Sequence, residues 1–235
     1  MKAMKTIVII AAGGRGHRMG ESICKQFLEL KGMSIIARTI LKFQTCEAVD
    51  GIIIGITTGE EDYFKEKVLL ETGETKLVKL VSGGEERQDT VWNCLEVLPE
   101  SCEIVLVHDG VRPLISEQLI EKVAETASEK GAVIPALPAE ETTKKVSDGV
   151  VIETLNRKEI WLAQTPQGFR RDLIVEAYKK ARKKQLRGTD DASLVEALGR
   201  KVYVVKGEKQ NMKITTPFDL KIALRLLEDT DRKIK

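Results

Sequence analysis

Residues 6–20 read TIVIIAAGGRGHRMG, an apolar, β-branched run that passes into a loop rich in glycine and arginine. The run reads as a buried first strand. In the loop, Gly13, Gly14 and Gly16 let backbone amides face a bound anion while Arg15 and Arg18 supply charge, the pattern of a triphosphate cradle. No Gly-Lys-Ser/Thr closes it, so it is not a Walker P-loop. Lys25, seven residues past Arg18, heads a predicted helix at 25–30 that returns towards the loop, where its ammonium either reaches the same phosphates or faces solvent.

Along the chain, β-branched runs at 6–12, 51–57, 76–81, 104–108, 132–137 and 202–206 read as strands. Amphipathic stretches at 34–44, 60–71, 87–98, 116–130, 171–184, 190–198 and 217–228 read as helices. Gly131 and Gly199 serve as C-terminal stops, and Thr216-Pro217 as an N-cap with a first helical proline. This alternation predicts an α/β three-layer sandwich: a mainly parallel twisted sheet, Rossmann-like, with helices on both faces and ligand loops at the carboxyl ends of the strands. The 235 residues suit one domain spanning 1–235. One segment breaks the pattern. Runs at 142–146 and 150–155 flank Ser147-Asp148-Gly149, a tight-turn signal, and predict a β-hairpin. Val146, Val150, Ile152 and Leu155 give it an apolar set that needs cover, so the region 138–157 is expected to be an arm that packs on a second subunit of a homodimer.

Composition narrows the partners. Lys plus Arg number 38 against 36 Asp plus Glu, and aromatic residues make up 4%. Neither figure suits a protein that grips a nucleic-acid backbone or stacks bases, so polymeric nucleic acid is not an expected partner. Lys2 and Lys5 followed by 7–12 superficially resemble a signal peptide, but the apolar part is short and ends in the basic glycine loop. No stretch approaches the roughly 20 apolar residues that cross a bilayer. Cys24, Cys46, Cys94 and Cys102 form no CxxC pair and share no metal-ligand spacing with His17 or His108. A cytoplasmic protein with reduced thiols is the expectation.

Two further loops carry chemistry. SGGEERQDTV (82–91) places Gly83 and Gly84 in a turn, with Arg87, Asp89 and Thr90 entering a helix; either Thr90 faces solvent or bonds within that helix, or the loop and helix N-terminus present amides and a hydroxyl to a base or ribose. VLVHDGVRP (105–113) puts Asp109 at a strand's carboxyl end beside Arg112. A carboxylate there, next to a phosphate loop, is a natural ligand for Mg2+ or another divalent cation, since hard ions take oxygen ligands and usually combine one or two carboxylates with substrate phosphates.

Taken in register, AAGGRGHRMG with KQFLEL, VSGGEERQDTV, VLVHDGVRPLI, TLNRKEIWLAQTPQGF, GTDDASLVE and KGEKQNMKITTPFDL make the chain resemble the 2-C-methyl-D-erythritol 4-phosphate cytidylyltransferase family over nearly its whole length. The resemblance implies transfer of a cytidylyl group from CTP to a polyol phosphate. It implies Arg18 and Lys25 at the reacting phosphate, and Asp109 binding Mg2+ beside the substrate. Ala11, Ala12, Gly13, Gly84, Arg87 and Thr90 fall on its nucleotide pocket, where the family more commonly has serine at the last position. Thr142, Arg157, Thr165, Thr189 and Lys213 match residues that hold the methylerythritol phosphate, the first two reaching in from the neighbouring subunit's arm. Read alone, Thr189 would be an N-cap and Arg157 a member of a surface ion pair. The chain departs from the pattern in one extra residue between Ala12 and Arg18, in Ile10 where a proline is common, and in VHDGVRP for VHDAARP. Ribitol-phosphate cytidylyltransferases, transferases using UTP or GTP, and a catalytically silent nucleotide-binding regulator are the alternatives that these residues leave open.

Overall fold

In the computed structural model, residues 5–13, 25–73 and 76–233 are described, and the glycine loop with Gly14, Gly16 and Arg18 lies outside them. The strands are β1 (Thr6–Ala12), β2 (Glu29–Leu30), β3 (Met33–Ser34), β4 (Gly51–Ile56), β5 (Leu77–Ser82), β6 (Ile104–Asp109), β7 (Ala132–Pro138), β8 (Lys144–Ser147), β9 (Val150–Thr154), β10 (Trp161–Ala163), β11 (Gln167–Arg170) and β12 (Tyr203–Lys206). The helices are α1 (Ile35–Thr45), α2 (Glu61–Tyr63) and α3 (Leu69–Thr72), joined by a π-helical turn at Phe64–Val68, then α4 (Arg87–Leu95), α5 (Glu117–Lys130), α6 (Arg171–Lys183), α7 (Asp191–Glu196) and α8 (Pro217–Lys233).

The main sheet runs β7–β11–β6–β1–β4–β5, with β10 and β12 also paired to β7. β1 lies parallel between β4 and β6, and β4 is parallel to β5. The inner strands β1, β4 and β6 are apolar over most of their length because helices cover both sides, with His108 and Asp109 ending β6. The pleat divides their side chains: Val8 and Ile10 pack with Ile40, Phe43 and Ile120 on one face, while Ile7 and Ile9 pack with Val91, Cys94 and Tyr178 on the other. The carboxyl ends of β1, β4, β5 and β6 come out along one edge, with Ala11 opposite both Gly55 and Asp109.

Helix ends follow local chemistry. Ser34 and Ser116 cap α1 and α5 through their hydroxyls, Gly131 closes α5 at φ 94°, and the Thr216 hydroxyl accepts from Asp219 N–H at the start of α8. Two expectations are corrected. Residues 25–30 are not a helix: a 3-10 turn at Lys25–Phe27 leads into the β2–β3 hairpin. Its turn residues Lys31 and Gly32 both take positive φ, 49° and 72°, the geometry of a two-residue hairpin loop. The sheet also gains β10 and β11, which the strand reading omitted. Both run antiparallel to their neighbours, and β11 sits between β6 and β7.

The hairpin at 140–155 forms as β8 and β9, with strand bounds slightly shorter than expected. Asp148 and Gly149 turn at φ 51° and 78°. Every residue of both strands is exposed, among them Val146, Val150, Val151 and Ile152. No helix among the described residues is long and apolar enough to cross a membrane.

Candidate active site

The loops at the carboxyl ends of β1, β4, β5 and β6 enclose a cleft of about 810 Å³. Ala11, Ala12, Gly13, Lys25, Gly84, Arg87, Thr90, Asp109 and Lys213 all line it. Nine expected positions, drawn from five separate stretches of chain, therefore meet in one place. Gln26 also lines it and carried no sequence signal. Its buried side-chain amide donates to the Ala12 carbonyl at 2.9 Å and so pins the turn bearing Lys25 to the end of β1.

Thr90 bonds within its helix and also to the glycine turn. Its hydroxyl donates to the Glu86 carbonyl within α4 and accepts from Gly84 N–H at 3.1 Å, which fixes the glycine turn against the helix. Gly84 has to be glycine, because a Cβ there would lie 2.3 Å from Cβ of Asp89.

Asp109 forms the charged floor. Its Oδ1 meets Arg87 Nε at 3.1 Å, and its Oδ2 meets Arg112 Nε and Lys213 Nζ, each at 3.1 Å. Burial by itself would raise the pKa of this carboxyl, but Arg87, Lys213 and Arg112 outweigh it and hold Asp109 well below the usual carboxylate range. Arg87 is clamped on its far side by buried Asp191, 2.8 Å from Nη2. Burial opposes its charge, yet Asp191 and Asp109 more than compensate, so the guanidinium stays ionised. The Tyr178 hydroxyl donates to the other oxygen of Asp191. Arg112 is held in turn by the Asn211 carbonyl at 2.9 Å.

Thr165 lies just beneath this floor. Its hydroxyl accepts from Asp109 N–H at 3.1 Å and sits 3.0 Å from His108 Nδ1. His108 Nε2 faces the Arg112 carbonyl at 3.2 Å, an atom that only accepts, so the ring proton is on Nε2 and Nδ1 accepts from Thr165. Burial lowers the pKa of His108 to about 3, so the ring is neutral. His108 thus orients its neighbours and performs no acid–base chemistry at neutral pH.

The remaining expected residues fall around the cleft or away from it. Thr189 is exposed, two residues before Asp191. It does not cap a helix, a correction to its reading as an N-cap: α7 starts at Asp191, so the extended N-cap position falls on Asp190, whose carboxylate accepts from Ser193 N–H at 2.9 Å. Thr142 and Arg157 are exposed on the arm and do not line the cleft. Arg157 donates to the Glu140 carbonyl at 2.9 Å, a hydrogen bond within the arm in place of the ion pair read from sequence.

For a divalent cation, Asp109 is the buried carboxylate on the cleft floor. Its two oxygens offer about four lone-pair directions, and three cations occupy part of that capacity. Among the described residues these leave one position on Oδ1, which fits a hard ion whose other ligands are phosphate oxygens and water. Elsewhere among the described residues, Cys46, Glu117 and Glu121 come close enough together to share an ion, but burial raises the pKa of the Cys46 thiol, which disfavours the thiolate a metal needs.

Comparison with known proteins agrees with this geometry. The family model for 2-C-methyl-D-erythritol 4-phosphate cytidylyltransferase matches residues 6–229. Proteins of that name from Pelotomaculum thermopropionicum and Clostridioides difficile are 44% and 45% identical, covering 93% and 94% of this chain and 92% of each relative. The solved 4-diphosphocytidyl-2C-methyl-D-erythritol synthase from Anaerococcus prevotii superposes with a TM-score of 0.85 at 34% identity, over 96% of this chain and 97% of that one. The solved cytidylyltransferase from Thermus thermophilus superposes at 0.77 with 32% identity, over 94% and 98%. The ribitol-phosphate and silent-regulator alternatives are not favoured by these matches. With its α/β fold, its cleft and its relatives in agreement, the chain is an enzyme that belongs to the 2-C-methyl-D-erythritol 4-phosphate cytidylyltransferase family.

Proposed function

We propose that this cleft transfers the cytidylyl group of CTP to 2-C-methyl-D-erythritol 4-phosphate, giving 4-diphosphocytidyl-2-C-methyl-D-erythritol and pyrophosphate for isoprenoid precursor synthesis. The observation that carries this reading is Asp109 at the carboxyl end of β6, held by Arg87 from the side of the glycine turn and by Lys213 and Arg112 from the other.

An oxygen of the substrate phosphate forms a new bond to the α-phosphorus of CTP, and the bond from that phosphorus to the β-bridging oxygen breaks, releasing pyrophosphate. A phosphate monoester is already largely dianionic at neutral pH, its second pKa being about 6, so the attack requires no general base. That agrees with a neutral, buried His108. The protein's task is to align two anions and neutralise their charge. Lys25, on the cleft wall, and Arg18, outside the described residues, take the reacting phosphate. Gly13 and Gly84 border the nucleotide, and Arg87 and Thr90 fix the turn around it; Gly14 and Gly16 complete the cradle from outside the described residues. A divalent cation held in part by Asp109 would supply further charge to the triphosphate.

The polyol phosphate lies on the side of Lys213, Arg112 and Thr189. Because the Thr165 proton is committed to His108, Thr165 offers a lone pair, suited to accept from a polyol hydroxyl. Thr142 and Arg157 serve the cleft of a second subunit, with the 138–157 arm packing there in a homodimer. The exposed Val146, Val150, Val151 and Ile152 support that assembly, since an isolated hairpin with an apolar face is unstable in water. A cytoplasmic setting suits the buried, unpaired Cys46, Cys94 and Cys102.

The function is tested by pyrophosphate release with Mg2+, each of four nucleoside triphosphates, and methylerythritol or ribitol phosphate. CTP with methylerythritol phosphate is expected to give the highest kcat/KM. Equal or faster turnover with ribitol phosphate, or no release with any pair, would overturn the assignment.

A further inference from the structure

The segment 186–191, which carries Thr189, is held by three consecutive side chains of α4. Gln88 bridges two of its backbone groups: Nε2 donates to the Leu186 carbonyl at 3.1 Å, and Oε1 accepts from Gly188 N–H at 3.0 Å. On one side of Gln88, Arg87 reaches Asp191 at 2.8 Å. On the other, both oxygens of Asp89 lie 3.0 Å from Nη1 of Arg187. Successive helical side chains diverge by about 100°, so these anchors grip the segment from different directions.

Thr189 itself is exposed, and its hydroxyl enters no hydrogen bond among the described residues. Its neighbours are fixed on both sides. Gly188 packs so tightly that a Cβ would lie 2.5 Å from Ser193 Oγ, and Asp190 accepts from Gln167 Nε2 at 2.7 Å and from Ser193 N–H. An uncommitted hydroxyl between two pinned residues is a preorganised ligand contact.

Building on the reading of Thr189 as a polyol phosphate contact, we infer that Gln88 is a positioning residue for the polyol phosphate, setting where Thr189 stands through the backbone of residues 186–188 while touching neither substrate. Among the three anchors, Gln88 carries this role most distinctly. The Asp89–Arg187 pair is solvent-exposed on the arginine side, where ion pairs contribute little. Arg87 also builds the cleft floor, so losing it would disturb both substrates.

The test is steady-state kinetics on Gln88→Ala and on Gln88→Met, which keeps the side chain's length but loses both bonds, with Thr189→Ala in parallel. Hydrogen–deuterium exchange of the peptide spanning 186–191 accompanies it. Losing two neutral hydrogen bonds is expected to raise KM for methylerythritol phosphate about tenfold. KM for CTP and kcat should stay within about twofold, and the Gly188 amide should exchange faster. A general loosening of the fold would not produce that split. If Thr189→Ala raises the polyol KM and neither Gln88 variant does, the inference is overturned while the reading of Thr189 stands. If none of the three raises it, both fail. An equal rise in KM for CTP would also overturn the positioning role.

Discussion

Acidification should destabilise this protein through His108. The ring is fully buried and neutral, with a folded pKa of about 3, against about 6.5 for an unfolded histidine. The unfolded chain therefore binds the proton more tightly, and lowering the pH favours unfolding. The contribution is complete above about pH 6.5 and is lost as the pH falls towards 3. Between pH 7 and pH 5 the linkage amounts to about 2 kcal/mol, set almost wholly by the unfolded state because the folded ring stays neutral throughout. For a chain of this size that corresponds to a fall in Tm of about 4–8 °C. The assay is thermal or urea unfolding across this range, comparing wild type with His108→Gln. Glutamine can still donate to the Arg112 carbonyl but does not titrate. The variant should start less stable, having lost the Thr165 bond, yet show a flatter slope. Asp109, with its depressed pKa, adds stability that is lost only below about pH 4. Equal losses in the two proteins between pH 7 and 5 would refute the buried neutral ring.

Lys25→Ala should reduce kcat by on the order of 10²-fold with KM for CTP little changed, as for loss of one preorganised charge donor; unchanged turnover in stopped assays would exclude Lys25 from the chemistry. Asp109→Asn leaves Arg87, Arg112 and Lys213 facing one another, and should cost about 3 kcal/mol in urea unfolding, the low end for a broken buried pair because Arg87 and Lys213 are partly exposed. Activity should fall with it, and a variant of wild-type stability would show that the three cations do not depend on this carboxylate. Removing residues 141–154 should convert a dimer to a monomer in sedimentation velocity, and a truncated chain that still sediments as a dimer would remove the arm from assembly.

The inner sheet was legible because residues 7–12, 51–56 and 104–107 are continuous apolar runs, and a strand buried on both faces leaves that mark on sequence. The hairpin of β8 and β9 was legible from its Asp-Gly turn. β10 and β11 were not, since they span only three and four residues and their pairing is decided by β6 and β7, far away in the chain. The stretch 25–30 misled because its polar–apolar spacing suits a helix, whereas the Gln26 bond to Ala12 and the Lys31-Gly32 turn hold it in another shape. In the cleft, residues that face the ligand space stood out at strand ends and glycine turns. Those that act from behind, such as Gln26, Gln88, Tyr178 and Asp191, sit singly on helices and turns, where one polar residue carries no pattern until its partner is known.

If a nucleotide and a polyol phosphate meet over Asp109, a crystal structure of the protein with CTP and Mg2+ should show it. The triphosphate is expected between the loop after Gly13 and Lys25, the nucleoside against the Gly83-Gly84 turn, and the α-phosphorus on the Asp109 side of the cleft. CTP bound elsewhere, or a triphosphate facing away from Lys25 and Asp109, would contradict it.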